Sequence, residues 1–393
     1  MTPSRGRRLC SCAAGLALLA GASLPAWAQF GPPPPPITLD IEMSIRSAAM
    51  GGTGSAVFWG EPDVWANPAT LSNLRGVGWV QGHSKLNPSF SDDIVFDTQQ
   101  LQFGGQGIGV SMMGQPYTGL GHAKFDSGPI TISGPNGLPT FSLFETTESF
   151  GLGVSPLRIL DALREQSGPG QARLTDVGEV AVGYQTERTK AGGDPGGTFD
   201  AGESYDWGVN GRLALQRVLW PEAAFRLDLA AAYSELNHAR ESAESFVGPP
   251  TRYTRTGFAL HGSPRPPAER ASPPASRAWW RPADVPEFSA TLAYDHDQRR
   301  VESFGTESSV DRVGAEVEVF RLLALRVGYV SDERAEIHAF AYGGGVTLPV
   351  GRWGSAGYQY ASEPLSEGLE PRVRHGFSVW LDPVRIWSDT RRR

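Results

Sequence analysis

The feature that most constrains this chain is an alternation of apolar and polar residues with a period of two. It is clearest in Tyr205–Arg217, Phe225–Ser234 and Asp311–Phe320, and it recurs up to Leu381. About fourteen such runs, most of them seven to twelve residues long, follow one another from Val77. A period of two places alternate side chains on opposite faces of an extended strand. The sequence therefore predicts an all-β fold of antiparallel strands, each with one apolar and one polar face.

Alternation alone fits both a soluble β-sandwich and a transmembrane β-barrel. Three observations favour the barrel. The runs approach the length that crosses a bilayer at a tilt, aromatic residues such as Tyr233 and Trp380 lie near run ends, and connections alternate between short and long. The tight turn at Arg321-Leu322 contrasts with the long stretches 114–146 and 237–286. We expect a closed antiparallel transmembrane barrel of about 14 strands, with 237–286 as a long outer loop.

The first 28 residues predict a secretory signal peptide. Three arginines precede the apolar stretch Leu9–Leu24, and Ala26-Trp27-Ala28 predicts cleavage after Ala28. Both cysteines, Cys10 and Cys12, lie in this segment. Its removal takes away three arginines and no acid, so the net charge changes from −7 to −10. An exported, acidic chain without cysteine excludes a disulfide scaffold, argues against a nucleic-acid partner, and is typical of a bacterial envelope protein.

The remaining chain divides by composition. Residues 29–45 form a Pro-rich arm, 46–74 a Gly-rich segment, 75–387 the predicted barrel, and 388–393 a basic tail. One helix is predicted over Ser155–Glu165, with Ser155 as its cap and Pro156 in its first position. The polar face of the alternating runs predicts a charged lumen, formed by Arg212, Arg226, Asp228, Arg312, Glu316, Glu318 and Arg326.

The Gly-rich segment resembles the N-terminal signature of FadL-type and PorV/PorQ-type outer-membrane barrels. The matching residues are Arg46, Met50, Gly51 and Gly52, followed by Asn67, Pro68 and Ala69. Phe320–Tyr329 is similar to the penultimate hairpins of PorV-type proteins. The resemblance implies a fourteen-stranded barrel with a short plug-like segment around Asn67 in or under the lumen. Two features depart from it: 29–45 is shorter than a FadL-type hatch, and residues 382–393 follow the last strand.

The last predicted strand, Arg374–Leu381, fits the terminal signal of barrels that are handed to the outer-membrane insertion machinery. Its key positions are Gly376, Val379 and Leu381.

No residue pattern supports an enzyme, a metal site or a cofactor. The seven histidines are scattered, and neither a zinc-binding H-E-x-x-H motif nor a nucleophile elbow is present. We interpret Asp295-His296-Asp297 as a solvated turn at a strand end, and Trp279-Trp280 as loop packing or a contact site.

Two functions from different classes fit this sequence. The first is transport of hydrophobic small molecules across the outer membrane, which predicts an apolar pocket and a kink or lateral opening in the wall. Met112 and Met113 are candidates to line that pocket, since methionine adapts to varied apolar shapes. The second is a non-enzymatic accessory barrel in protein secretion or surface attachment, with a plugged lumen and a secretion-system partner. Both place the chain among outer-membrane lipids, and we rank transport slightly higher.

Overall fold

A computed structural model places the strands in one closed antiparallel barrel. The structure describes residues 36–86, 94–114, 123–131, 140–167, 173–194, 197–239, 250–264, 288–301, 305–350, 353–365 and 369–381. Strand β1 pairs with β2 on one side and with β15 on the other, which closes the sheet. The predicted barrel of 14 strands is confirmed, because fifteen strand segments fill fourteen positions around the wall.

The strand segments lie in sequence order. They are β1 Gly76–Lys85, β2 Val95–Gly105, β3 Ile108–Met113, β4 Ala123–Thr131, β5 Thr140–Val154, β6 Gly178–Asp194, β7 Gly197–Ala214, β8 Phe225–Ala239, β9 Arg252–Pro264, β10 Phe288–Val301, β11 Thr306–Val319, β12 Leu323–Asp332, β13 Ile337–Val350, β14 Gly354–Glu363 and β15 Arg372–Leu381.

The helices are short. They are α1 Ile45–Ala49, α2 Pro156–Ser167 and α3 Leu215–Leu219, with 3-10 helices at Pro68–Asn73 and Leu174–Asp176. Helix α2 confirms the helix predicted after Ser155. None of the helices in the described ranges is long and apolar enough to cross a membrane.

Segments β3 and β4 share one position in the wall. Both lie between β2 and β5. Segment β3 pairs with the last residues of β2 and of β5, and segment β4 pairs with the first residues of the same two strands. On β5, Met113 is opposite Ser149 and Ala123 is opposite Thr147. A single ladder position therefore separates two residues that are ten apart in sequence. One barrel strand is interrupted there.

Our sequence prediction missed β4 and treated 114–146 as a connection. The reason is that its pattern is reversed relative to most of the wall. Ala123, Phe125 and Ser127 are buried inside, while Lys124 and Asp126 are half-exposed outside, 2.8 Å apart. The apolar side chains of β4 pack inward, so the segment does not show the lipid-facing alternation by which we found the other strands.

The two faces of the wall have opposite character. Most inward residues of the strands are small or polar, apart from the large apolar ones around β4, and the outward residues form an apolar belt that includes Val77, Leu229, Leu292, Val313, Leu325 and Val379. A girdle of aromatic side chains borders the belt, with ring contacts such as Tyr184 with Tyr205 and Trp207 with Tyr233. An apolar belt with an aromatic border is typical of a barrel that spans a membrane.

The barrel has a terminal end, where β1 begins and β15 ends, and an opposite end. The prediction of one outer loop over 237–286 is wrong, because β9 occupies Arg252–Pro264. Pro264 and Phe288 both lie at the terminal end, so the connection between them starts and finishes there. Trp279-Trp280 and the basic tail 388–393 lie outside the described residues, as do the signal peptide and residues 29–35 of the Pro-rich arm.

Candidate functional site

The Gly-rich segment 46–74 lies inside the barrel and crosses the lumen. In its second half, the 3-10 helix Pro68–Asn73 rests on a row of inward glycines from five neighbouring strands of the wall. A Cβ atom at any of these positions would meet the segment or its immediate neighbours, and the row consists of Gly104, Gly109, Gly153, Gly183 and Gly208. The strand pairings place the five glycines directly opposite one another. This row, which we call the glycine row, lets the backbone of the helix touch the backbone of the wall.

Asn67 fixes the start of that helix. Its side-chain oxygen accepts from the amide of Ala69 at 2.9 Å, and its Nδ2 donates to the carbonyls of Ser55 and Val209, each at 3.1 Å. Asn67 is fully buried, as are Pro68 and Ala69. One amide side chain thus caps the helix, ties it to an earlier turn of the segment, and attaches both to β7.

The first half of the segment meets the other side of the wall in the same way. Met50 and Gly51 lie against the backbone at Gly328, and Gly52 lies against the Arg312 side chain. Gly51 and Gly52 have φ angles of +73° and +84°, which side chains with a Cβ rarely adopt. The two glycines of the motif therefore serve both the turn and the close approach.

Arg46 is the main ionic anchor of the segment. Its Nε donates to Glu316 at 3.0 Å, its Nη1 donates to the carbonyls of Trp59 and Glu61, and Glu316 also accepts from Arg326 at 2.6 Å. Burial alone would lower the pKa of Arg46, but the adjacent Glu316 carboxylate raises it above its ordinary value. Buried ion pairs of this kind are costly to break, because the remaining partner is left charged and unpaired.

The Asp295-His296-Asp297 sequence is part of strand β10, so its interpretation as a solvated turn is wrong. Asp295 is buried and accepts from the amides of Gly54 and Ser55, at 2.9 and 3.1 Å. Asp297 is buried between Arg255 and Arg312. In the described residues, no group of three or more His, Cys, Asp or Glu side chains is arranged to hold a metal ion.

The remaining charged residues of the predicted lumen also face inward. Arg212 lies 3.4 Å from Asp228, which Arg226 approaches to 2.6 Å, and Glu318 accepts from Ser289 at 3.4 Å. Sequence reasoning missed Asp295, Asp297 and the glycine row. A signal for the row was available, since these glycines fall in phase with the inward positions of their strands.

Residues 37–43, which we call the strap, run along the inner wall towards the opposite end. The Glu145 side chain on β5 accepts from the amides of Ile37 at 3.0 Å and of Thr38 at 2.6 Å. Tyr253 donates to Asp40 at 2.9 Å, and Arg374 donates to the carbonyl of Glu42. The strap is therefore attached to three separate parts of the wall.

An apolar cluster lies between the strap and the interrupted strand. It consists of Ile41, Met43, Leu86, Ile94, Phe96, Met113, Ala123 and Phe125, with Trp65 against it. We call this the apolar cluster. It contains the last residue of β3 and the first of β4, so it lies directly behind the interruption. Nearby, the inward side chains of Gln100, Gln102 and Ser111 keep buried polar atoms without a hydrogen-bond partner.

Met112 and Met113 point to opposite sides of the wall. Met113 is 1% exposed and belongs to the apolar cluster, whereas Met112 is half-exposed on the outward side between Leu101 and Phe150. The prediction that both line one pocket is wrong for Met112, because consecutive residues of a strand face opposite sides.

Among the cavities of the described interior, one of about 250 Å³ lies beside the strap and is lined by Asp40, Thr251, Arg299 and Asp332, and two others are smaller. One of about 40 Å³ lies between the segment and the wall, lined by Met43, Trp65, Gln100, Gln102 and Met113. Another of about 130 Å³ lies under the strap and is lined by Asp40, Glu42, Arg255, Arg299 and Arg372. The segment touches the wall beside these cavities, and we infer that it blocks this part of the lumen.

Two buried carboxyl groups, Glu42 of the strap and Asp63 of the segment, have raised pKa values. Burial and, to a lesser extent, the nearby Asp63 raise the pKa of Glu42 to about 8, against the opposing effect of Arg255. Burial also raises the pKa of Asp63, against the hydrogen bond donated by Ser47. At neutral pH, Glu42 is mainly protonated in this arrangement.

The terminal strand closes the barrel. Gly376 faces inward against Ile45, while Val379 and Leu381 are exposed on the outer wall. Their part in recognition by the insertion machinery stays a prediction.

Comparisons with known proteins give structural likenesses only. Neither a family model nor a curated protein matches the chain. Among solved structures, it is similar to the toluene transporter TbuX of Ralstonia pickettii, with 14% identity over 86% of this chain and 98% of that chain, and a TM-score of 0.42. The toluene transporter TodX of Pseudomonas putida has 10% identity over 86% and 96%, with a TM-score of 0.42. A Pseudomonas aeruginosa FadL homologue has 9% identity over 86% and 98%, with a TM-score of 0.40. The barrel assignment rests on the strand pairings and not on these scores.

Proposed function

We propose that this chain is an outer-membrane barrel that moves hydrophobic small molecules through its side wall. The observation that carries the proposal is the interrupted strand with the apolar cluster behind it. Nine residues, 114–122, lie between Met113 and Ala123, where the ladder has room for one. A continuous barrel strand would need only one of these nine residues.

The partly filled lumen supports the same route. A water-filled pore would favour polar solutes. The segment 46–74 instead touches the wall at the glycine row, and the cavities beside it and the strap have volumes of about 40, 130 and 250 Å³. A hydrophobic molecule gains free energy in the bilayer and in the apolar cluster, and loses it in water. Passage beside the segment, through the interruption, therefore suits an apolar cargo.

The accessory barrel in secretion or surface attachment is the second candidate. The plugged lumen favours it, because a barrel that acts through protein contacts needs no open path. The interrupted strand has no part in that role, which is why we place transport first. The PorV/PorQ-type resemblance of the Gly-rich segment belongs to this second candidate.

Identification of bound molecules tests the proposal. The barrel is extracted in mild detergent, and its small molecules are identified by mass spectrometry. We expect a reproducible hydrophobic compound near one per barrel, and we expect Met113→Gln to lower its occupancy. Met112→Gln is the matched control, since it adds the same amide on the outer side. An empty barrel that retains a protein partner would overturn transport and favour the accessory role.

A further inference from the structure

The outer wall at the terminal end carries an apolar patch on helix α3 and the start of β8. It consists of Val218, Leu219, Trp220 and Phe225, with Arg217 beside them, and we call it the α3 patch. Val218 and Leu219 are each 55% exposed and Trp220 is 51% exposed. The Trp220 and Phe225 rings lie 6.3 Å apart. Such a group of large exposed apolar side chains indicates an interaction surface.

The α3 patch is continuous with the lipid-facing belt. Helix α3 follows β7 directly, and the Gln216 side chain fixes it to β8 by accepting from the Leu227 amide at 3.0 Å. Phe225 lies in the same outward row of β8 as Leu229, which is exposed in the belt. The patch therefore extends the belt to the rim of the barrel on its outer side, away from the lumen.

The exposed charges around this end are mainly basic. Within the described ranges, the exposed charged residues near the terminal end, apart from the inward Arg226, are Arg75, Arg173, Arg217 and Arg321, against Asp176 and Glu222. Arg217 lies 3.8 Å from Asp176, and both side chains are more than 40% exposed, so solvent screens this pair. The protein as a whole is acidic, so the basic character belongs to this end.

We propose that the α3 patch is a membrane anchor that enters the headgroup region of the leaflet at the terminal end and prefers anionic phospholipid. Apolar and aromatic side chains that are flanked by arginine are the composition of surfaces that lie in that region. The arginines complement lipid phosphate. Continuity with the belt decides for lipid over a soluble protein or a second copy, because the bilayer that covers Leu229 reaches the patch without a gap.

A depth measurement tests this anchor. In a Cys10→Ser/Cys12→Ser background, L219C carries a fluorescent label and the protein is placed in lipid nanodiscs with quenchers at defined depths. We expect shallow quenchers to act most strongly on this label. In the same background, L325C in the middle of the belt, where Leu325 is 71% exposed, should respond to deep quenchers. E307C, which is exposed at the opposite end, should respond to neither.

Headgroup preference is measured at the same label. Quenching by spin-labelled phosphatidylglycerol should exceed quenching by spin-labelled phosphatidylcholine, and R217Q should lower that preference by roughly fivefold. R300Q, an exposed arginine at the opposite end, is the matched control and should change nothing. The proposal is overturned if the label at L219C is quenched no more than the label at E307C, or if the two lipids quench it equally. It is also overturned if the label becomes less accessible to the quenchers as the protein density rises, which a second copy would cause.

Discussion

At the residue scale, single buried polar side chains hold the segment in the lumen. Asn67 makes three hydrogen bonds, and Asp295 accepts from two amides and one hydroxyl of the same turn. Each bond is modest, but a buried donor or acceptor that loses its partner is costly. These residues therefore help to fix the position of the segment in the lumen.

Replacement of Asn67 tests this claim. We expect Asn67→Ala to lower the free energy of unfolding by about 2–4 kcal/mol, because the carbonyls of Ser55 and Val209 lose a donor in the interior. Tryptophan fluorescence in a urea titration of the detergent-solubilised barrel measures it. Asn73→Ala is the control, since the Asn73 side-chain oxygen accepts no hydrogen bond within the described structure. Equal effects of the two substitutions would contradict the account.

Glu42 predicts how attachment of the strap depends on pH. Its pKa rises from the ordinary 4.5 to about 8 when the strap is docked, so docking favours the protonated acid. This stabilisation is complete below pH 4.5 and is lost as the pH rises through 8. We expect hydrogen exchange of residues 37–43 to speed up between pH 6 and 9 beyond its intrinsic dependence, and Glu42→Gln to remove that excess. An unchanged excess in the variant would show that another group is responsible.

At the element scale, the glycine row explains how a helix can lie against a barrel wall without a gap. A Cβ at Gly183 would overlap the backbone of Pro68 and Ala69, whereas one at Gly211 on the outward side has its nearest atoms at 3.9 Å. The difference between these positions is only the face of the wall on which they lie.

Substitution at the two glycines tests the seal. We expect Gly183→Val to displace the Pro68–Asn73 helix and to raise ion conductance in planar bilayers, or to reduce the folded fraction seen by heat-modifiable electrophoresis. Gly211→Val should leave both unchanged, because its side chain would enter lipid. If Gly183→Val folds fully and conducts no more than the unmodified barrel, the helix does not seal the lumen at this row.

The strands also show what the sequence could and could not predict. The fourteen alternating runs coincide with strands, because lipid outside and polar groups inside impose a period of two on each. The sequence prediction missed segment β4 because Phe125 faces inward to the apolar cluster and Lys124 faces outward, the reverse of the usual pattern. The Asp295–Ser55 contact joins residues 240 apart, and no local pattern encodes such a pairing.

At the scale of the whole molecule, the barrel combines a segment that fills part of the lumen with an interruption in one strand of its wall. The segment 46–74 lies in the centre, the strap and the apolar cluster lie beside the interruption, and the terminal end presents a basic and apolar rim. These features are consistent with one route, in which apolar molecules enter or leave beside the segment and never cross an aqueous pore.

The most direct test removes the interruption. Deletion of 115–122 leaves Gly114 as the single residue between Met113 and Ala123, which is the number that the pairing to Ser149 and Thr147 requires. The measurement is uptake of the hydrophobic dye N-phenyl-1-naphthylamine by cells that express the barrel, with deletion of 241–248 as the length-matched control. The account predicts that the 115–122 deletion lowers uptake to that of cells without the barrel, while the control keeps it. Full uptake by a folded 115–122 deletion variant would contradict it.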